Sequence, residues 1–221
     1  LVPRLVSEGY DVTVLDTFWY GKDHLSHSNS IKLVEADMRD YGAVQNAIDG
    51  QDALIHLACI SNDPSFDLDP ALGKSINLDS FLPIVEAANN SGLQRFIYAS
   101  SSSVYGIKEE ERVTENLALE PLTDYSRFKM QCEDILLNNS RSDLVSTVDS
   151  YLELLKADQK SIDREIFNIG GKNLTVKDIA ESIQNVIDPS IPIEFQETYD
   201  LRSYRVDSSK IHNAIGYSPS R

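Results

Sequence analysis

The chain has 221 residues, 41% of them hydrophobic, enough for a real core in one large domain or a domain and a half. Its formal charge is −15 and its Lys and Arg form no stripe, which argues against non-specific nucleic-acid binding, a mode that needs clustered basic side chains. No apolar run is long enough to span a membrane and no signal peptide is recognisable; Cys59 and Cys132 are too few for a disulfide framework and lack metal-ligand spacing, so an acidic, soluble, cytoplasmic protein with reduced thiols and no metal is expected.

In chain order, Leu1–Glu8 has helical spacing, Gly9 suits the residue just past a helix end, and Asp11–Leu15 is a strand that runs into Asp16. Helix, Gly, strand, acidic residue is the second half of a Rossmann βαβ unit. No strand precedes Leu1, no glycine-rich loop is present and the first residue is not Met, so the chain is expected to start inside the first helix of a longer protein. An acidic side chain at this strand end accepts hydrogen bonds from a ribose diol and repels a 2′-phosphate, which makes Asp16 a cofactor-binding candidate and favours NAD over NADP. Ile31–Val34 is the next strand; Tyr41–Ile48 is a short helix with Val44, Ala47 and Ile48 inward. Ala53–Leu57 is a strand whose His56 is taken as a packed core residue. Cys59–Pro70 is a turn-rich loop. A long helix over Leu72–Asn89 is anchored by Ile76, Leu82, Ile84 and Val85, kinked or broken at Pro83, and closed by Gly92.

Arg95–Ser100, RFIYAS, is a strand of buried type, and Ser100–Ser103 follow where it should end. Glu109–Glu111 is a solvated charge run. A helix starts near Tyr125, with Thr123 and Asp124 as N-cap candidates and Phe128, Cys132, Ile135 and Leu136 as its core-facing stripe. Tyr125 and Lys129 are four apart and share a face. An ammonium beside a phenol favours the phenolate, and so brings a Tyr, which ordinarily titrates near ~10, toward use as a base. Ligands of open α/β sheets bind beyond the carboxyl ends of strands, where this hydroxyl cluster and this Tyr–Lys pair fall. Farther on, Val148–Lys156 is a helix, Glu165–Ile169 a last strand turning at Gly170-Gly171, and Thr175 with Asp178 a capping box opening a helix to about Ile187. Pro189–Glu194 is extended.

YASSSSVYG and YSRFK together resemble the serine segment and the Tyr-x-x-x-Lys of extended short-chain dehydrogenase/reductases of the nucleotide-sugar epimerase/dehydratase type. The resemblance covers nearly the whole chain. It implies an α/β fold: a Rossmann-like doubly wound parallel sheet over residues 1–169, with first strand and glycine loop absent, then a small, partly missing C-terminal α/β substrate domain over 170–221. It places the catalytic hydroxyl at Ser101, four residues before Tyr105, with Ser102 beside it as a substrate contact. Asp37 and Met38 would bracket the adenine, Leu57 and Ala58 would line the cofactor, Asn77 would lie near it, and the loop from Cys59 would touch substrate. Arg202 is the candidate for the diphosphate, since a guanidinium forks onto phosphate oxygens; Arg205 is given no role. Only 19 residues separate Lys129 from Asp149, where the family places a strand and much of the sugar-nucleotide domain, so a segment is expected to be missing with the join near Asp143–Thr147. Homodimer pairing through the Tyr125 helix is implied as well.

The activity so implied is that of an NAD-dependent epimerase acting on a nucleotide-activated sugar by transient oxidation at C4. Tyr125 would take the hydroxyl proton, Lys129 would lower the Tyr pKa and hold the nicotinamide ribose, and Ser101 would hydrogen-bond the reacting oxygen. Family 4,6-dehydratases carry an Asp-Glu pair where this chain has Ser102 and Ser103, which counts against dehydratase. A keto-sugar reductase stands second, a decarboxylase behind it, and a non-catalytic dinucleotide-binding regulator is the alternative of another class. The nucleotide and the sugar are not legible in the sequence.

Overall fold

The computed structural model describes residues 1–25, 28–61, 63–139, 148–196 and 205–218. The expected join near Asp143–Thr147 and the diphosphate candidate Arg202 lie outside the described residues.

Helix α1 (Val2–Ser7) buries Leu5 and leads through Gly9, at φ +91°, into strand β1 (Val12–Asp16). Strand β2 (Ile31–Glu35) pairs with β1 in parallel, Val12 opposite Ile31 and Asp16 opposite Glu35. Asp40 caps α2 (Tyr41–Ile48) by accepting from Ala43 N at 3.1 Å, and the helix buries Val44, Ala47 and Ile48, the inward set that its spacing predicts. Strand β3 (Ala53–His56) pairs in parallel with β4 (Arg95–Tyr98), Ala53 opposite Arg95 and His56 opposite Tyr98. Among the described residues the sheet is thus two parallel pairs.

The segment between β3 and β4 departs from expectation. The loop from Cys59 holds a short helix, α3 (Asp63–Asp67), and the single long helix is two: α4 (Pro70–Lys74) and α5 (Phe81–Asn90), joined by a π-helical turn at Ser75–Asp79. Pro83 has no N–H to give the carbonyl four residues back, so the α-helical ladder cannot run through. The wide turn also shifts the helical phase: Phe81 turns inward and Leu82, expected in the core, is exposed. Carbonyls of the turn find side chains instead, Ser80 Oγ donating to Ile76 O at 2.7 Å and Cys132 Sγ to Asn77 O at 3.1 Å.

Beyond β4 a 3₁₀ turn (Ser102–Tyr105) precedes α6 (Asp124–Asn139). Thr123 caps α6, its Oγ1 accepting from Ser126 N at 3.3 Å. Then come α7 (Val148–Lys156), α8 (Gln159–Ile162), α9 (Val176–Ile187) and α10 (Ser209–Ile215). The capping box of α9 is complete: Thr175 Oγ1 accepts from Asp178 N at 3.1 Å and Asp178 accepts from Thr175 N at 2.8 Å. The extended stretch expected after it begins as a turn, with Ile191 N donating to Asp188 O at 3.1 Å.

The strand expected at Glu165–Ile169 is not formed. Its polar backbone groups bond to side chains rather than to a ladder: Asn168 N donates to Glu115 at 2.6 Å, and Lys210 Nζ donates to Ile166 O at 2.7 Å. Just past it, Gly170 N donates to Ser208 Oγ at 2.8 Å.

Strand β4 is covered on both faces, which is why its sequence reads as a continuous apolar run. Phe96 and Tyr98 face one core, built with Val44 and Ile48 of α2, Phe81, Ile84 and Val85 of α5, and Cys132 and Leu136 of α6. Ile97 points the other way, as strand alternation demands, into a second core with Tyr151 and Leu154 of α7, Ile162, Phe167 and Ile211 of α10. Arg95 fastens β4 to α7 by donating to Leu155 O at 2.6 Å and Ala157 O at 3.0 Å, carbonyls at the end of that helix. Parallel strands with helices on both sides are the doubly wound arrangement.

Candidate functional site

The polar side chains gather beyond the carboxyl end of β4. The strand ends at Tyr98, and Ala99 N donates to His56 O at 3.1 Å as the last link with β3. Ser101 caps the following 3₁₀ turn: its Oγ accepts from Ser103 N at 3.2 Å and lies 2.9 Å from Ser103 Oγ. The turn closes at Gly106, whose φ is +71° and where a Cβ would sit 2.1 Å from Glu120 O, so only glycine fits there. Tyr105 is buried and donates through its hydroxyl to Asn168 Oδ1 at 2.9 Å; burial pushes its phenol up to about 12.

From α6, Tyr125 is half-buried and Lys129 is only 4% exposed. Lys129 Nζ donates to Ala99 O at 2.6 Å and lies 4.8 Å from the ring centre of Tyr98 and 5.8 Å from that of Tyr125. One turn further, Glu133 is buried as well and accepts a hydrogen bond from Ser100 Oγ. Burial pushes Glu133 up to about 7, against the opposing pull of the Ser100 hydrogen bond and the Lys129 charge. The core stripe of α6 is narrower than its periodicity predicts. Cys132 and Leu136 are fully buried, Phe128 and Ile135 half-buried, and the places between go to Ser126, Lys129 and Glu133.

His56 is the core residue expected of it: it stacks on Tyr98 at 5.8 Å and meets Phe81 edge-on at 5.3 Å. Burial first, and the Lys129 charge second, hold its imidazole down at about 3, so it stays neutral.

At the other strand ends, Asp16 Oδ1 accepts from Phe18 N at 2.6 Å and the side chain is exposed at the tip of β1. Asp37 is clasped by Arg39, with Arg39 Nε donating to Oδ1 at 2.9 Å and Nη2 to Oδ2 at 2.6 Å, and this ion pair holds the carboxyl below its usual range. Met38 packs against the first core. Leu57 is 44% exposed beyond β3, and Ala58 beside it is exposed. Asn77 is not on the surface: it is buried in the π-helical turn, accepting from Ile60 N at 2.8 Å and donating to Ile60 O at 2.9 Å, which pins the loop after β3. The structure therefore sets Ser101 and Ser102 beyond β4 and ties Lys129, one turn from Tyr125 on α6, to Ala99 just before them, and leaves Asp16, Asp37, Leu57 and Ala58 at the ends of the other strands.

The described residues line two hollows, of which the smaller adjoins this end. One, of about 150 Å³, is lined by Ser100, Ser101, Ser102, Tyr105, Glu115 and Glu133 among others; Tyr125 and Lys129 do not line it. The other, about 610 Å³ and polar, includes Arg112, Arg205, Asp207, Ser208 and His212. Arg205, given no role from the sequence, thus borders a cavity. Asp207 accepts from Ser209 N at 2.7 Å and pairs with Arg112, and Lys210 pairs with Glu165 at 2.8 Å.

Sequence reasoning did not single out Glu133, Asn168 or Glu115. Glu133 carried one usable signal: it repeats the four-residue spacing of Tyr125 and Lys129.

A family model described as "NAD dependent epimerase/dehydratase family" matches residues 1–170. Among curated proteins, the UDP-glucose 4-epimerase of Lactobacillus helveticus is 28% identical over 144 residues, which are 64% of this chain and 43% of that protein. The probable UDP-arabinose 4-epimerase 3 of Oryza sativa subsp. japonica is 25% identical over 167 residues, 70% of this chain and 41% of that one. The chain therefore spans about two fifths of the length of these relatives. Among solved structures, the UDP-glucose 4-epimerase of Thermotoga maritima with UDP-glucose superposes with a TM-score of 0.82 at 16% identity, covering 99% of this chain and 89% of that one. The Bordetella bronchiseptica enzyme WbmG, solved with NAD and UDP, gives 0.79 at 17% identity, covering 100% and 84%. At such identities the structural likeness establishes the fold.

Proposed function

This chain belongs to the NAD dependent epimerase/dehydratase family, and from that premise we propose that it carries the catalytic centre of a 4-epimerase of nucleotide-activated sugars. The observation that carries the proposal is the buried Lys129 ammonium, which donates to Ala99 O two residues before Ser101 and lies 5.8 Å from the Tyr125 ring centre. A buried cation stabilises a neighbouring phenolate, because little water screens the pair. Tyr125 then takes the proton of the C4 hydroxyl and later returns it. Lys129 spends one N–H on Ala99 O, and an ammonium has two more, available to the phenolate and to a ribose hydroxyl. Ser101 donates to the reacting oxygen and so holds it in line with Tyr125.

The residues at the strand ends fit NAD. Leu57, large and apolar yet 44% exposed, forms with Ala58 a shelf beyond β3, and Asp16 at the tip of β1 presents acceptors to a ribose diol. Asp37 and Met38 would border the adenine. Bound there, NAD supplies a reversible hydride acceptor, which is what allows a carbinol carbon to become a carbonyl and return. Ser103 is buried against Ser101, and neither it nor Ser102 has the acid or base that elimination of water would require; this favours epimerase over dehydratase. The proposal includes residues 1–169 as the nucleotide-binding part and 170–221 as part of the sugar-nucleotide part, Arg202 on the diphosphate, and pairing of two copies through α6.

The test is incubation of the full-length protein with NAD and a panel of UDP-, GDP-, CDP- and dTDP-hexoses, followed by NMR. A C4-inverted sugar with no net NADH is the expected result. A keto sugar consumed with stoichiometric NADH or NADPH would replace this reading by a reductase, and silence with NAD bound would replace it by a non-catalytic binder.

A further inference from the structure

We propose that Glu133 is a positioning residue which, acting through Ser100, sets the register of the serine segment against the Tyr125–Lys129 face of α6; this rests on the catalytic grouping proposed above. Tyr125, Lys129 and Glu133 stand on successive turns of one helix face. Two of these side chains grip two successive residues beyond β4: Lys129 Nζ donates to Ala99 O at 2.6 Å, and Glu133 accepts from Ser100 Oγ. Ser101 is the next residue. The hydroxyl that meets the substrate oxygen and the phenol that takes its proton are therefore set against each other by the helix that carries the phenol. Ala99, tied also to His56 O, and Ser100 are the two clamped points.

A neutral amide could make the same hydrogen bond without burying a charge, so hydrogen bonding alone does not call for Glu here. The carboxylate adds a negative charge one turn from Lys129. The titratable groups that face it are Lys129 and Asp134 on α6, the Cys132 thiol, Tyr98 from β4, Tyr105 from the 3₁₀ turn, and Glu115 across the small cavity. Lys129 is the one cation among them. Ionised Glu133 accepts from Ser100 and shares the Lys129 charge, leaving less of that charge to stabilise a Tyr125 phenolate. Once protonated, it no longer does either to the same degree.

The experiment compares wild type, Glu133→Ala, Glu133→Gln and Ser100→Ala in the full-length protein. For Glu133→Ala a kcat loss of about 10–100-fold with KM within about threefold is expected, and Glu133→Gln should recover most of it. In Glu133→Gln the acid limb of kcat should move to lower pH by roughly half a unit or more, because Lys129 no longer shares its charge with a carboxylate. A kcat within about twofold of wild type in Glu133→Ala, or an unmoved limb in Glu133→Gln, overturns the proposal. Should Glu133→Ala not fold, Ser100→Ala tests the same link, with kcat expected to fall about 3–10-fold and the Ser100→Ala/Glu133→Gln pair no worse than the worse single change; additive losses overturn it. A measurement independent of turnover separates this proposal from the epimerase reading: the ¹³C titration of the Glu133 carboxyl should move to higher pH in Ser100→Ala. An unmoved titration overturns the link even in an active epimerase, and a moved one upholds it even if no sugar on the panel reacts.

Discussion

Helices α6 and α9 are opposites. The stripe of α9 is the cleaner of the two, with Val176, Ile179, Ile183, Val186 and Ile187 at helical spacing behind a complete capping box, yet none of its residues is buried. Helix α6 is polar on balance and buries five residues, among them Lys129 and Glu133. Pattern and caps decide whether a helix forms; what lies opposite decides whether it is buried. Helix α6 lies against β4 and α5, whose apolar residues shield its Lys and Glu from water.

The largest effect expected from this contrast is on α6. Tyr125→Phe should lower kcat by about 10²–10⁴-fold while NAD still binds, measured by stopped-time NMR and fluorescence titration; unchanged turnover would break the assignment of chemistry to α6. Next, Leu136→Ala empties a fully buried position of the same helix, and should cost about 2–5 kcal/mol in urea unfolding.

The third change goes the other way. The Glu133 pKa is raised to about 7 from an unfolded value of 4.5, so its contribution to stability is full below pH 4.5 and is lost as pH rises through 7. Glu133→Gln should therefore be more stable than wild type by up to about 3 kcal/mol at pH 8, a gain that fades toward pH 4.5. Equal stabilities at pH 8 would remove the view that α6 holds its carboxylate at a cost to the fold. The smallest effects belong to α9. Thr175→Ala should cost ~1 kcal/mol through the lost cap, and Ile183→Ser, on the exposed stripe, should change stability by less than about 0.5 kcal/mol. A larger loss from Ile183→Ser than from Leu136→Ala would reverse the comparison.

Where local chemistry decides, the sequence is enough. The bounds of α2, its inward face and the Thr175–Asp178 box follow from spacing and caps, whereas the parallel pairing came with the family resemblance. The closeness of Lys129 to the end of β4 was legible because strand end and helix start are each marked. Leu82 was misplaced because it lies just past a π-helical turn, and periodicity assumes a constant phase. Glu165–Ile169 has a strand's composition, but side chains from distant segments take its backbone bonds. Glu133 was passed over for a physical reason too: a carboxylate belongs at the surface unless something buries it, and the Ser100 hydroxyl and Lys129 ammonium that accompany it come into range only in the fold.

The two-sided burial of β4 also bears on the order in which the molecule assembles. The core on the Phe96–Tyr98 face draws only on residues 44–136 for its buried members, whereas the Ile97 face waits for residues 151–211. The first can close while the second half of the chain is still being synthesised, leaving Ile97 as the docking point for what comes later. The inference is that α2, α5 and α6 gain protection from amide exchange before α7 and α10 in pulse-labelled refolding. Simultaneous protection of both sets would mean that the two faces of β4 form in one cooperative step.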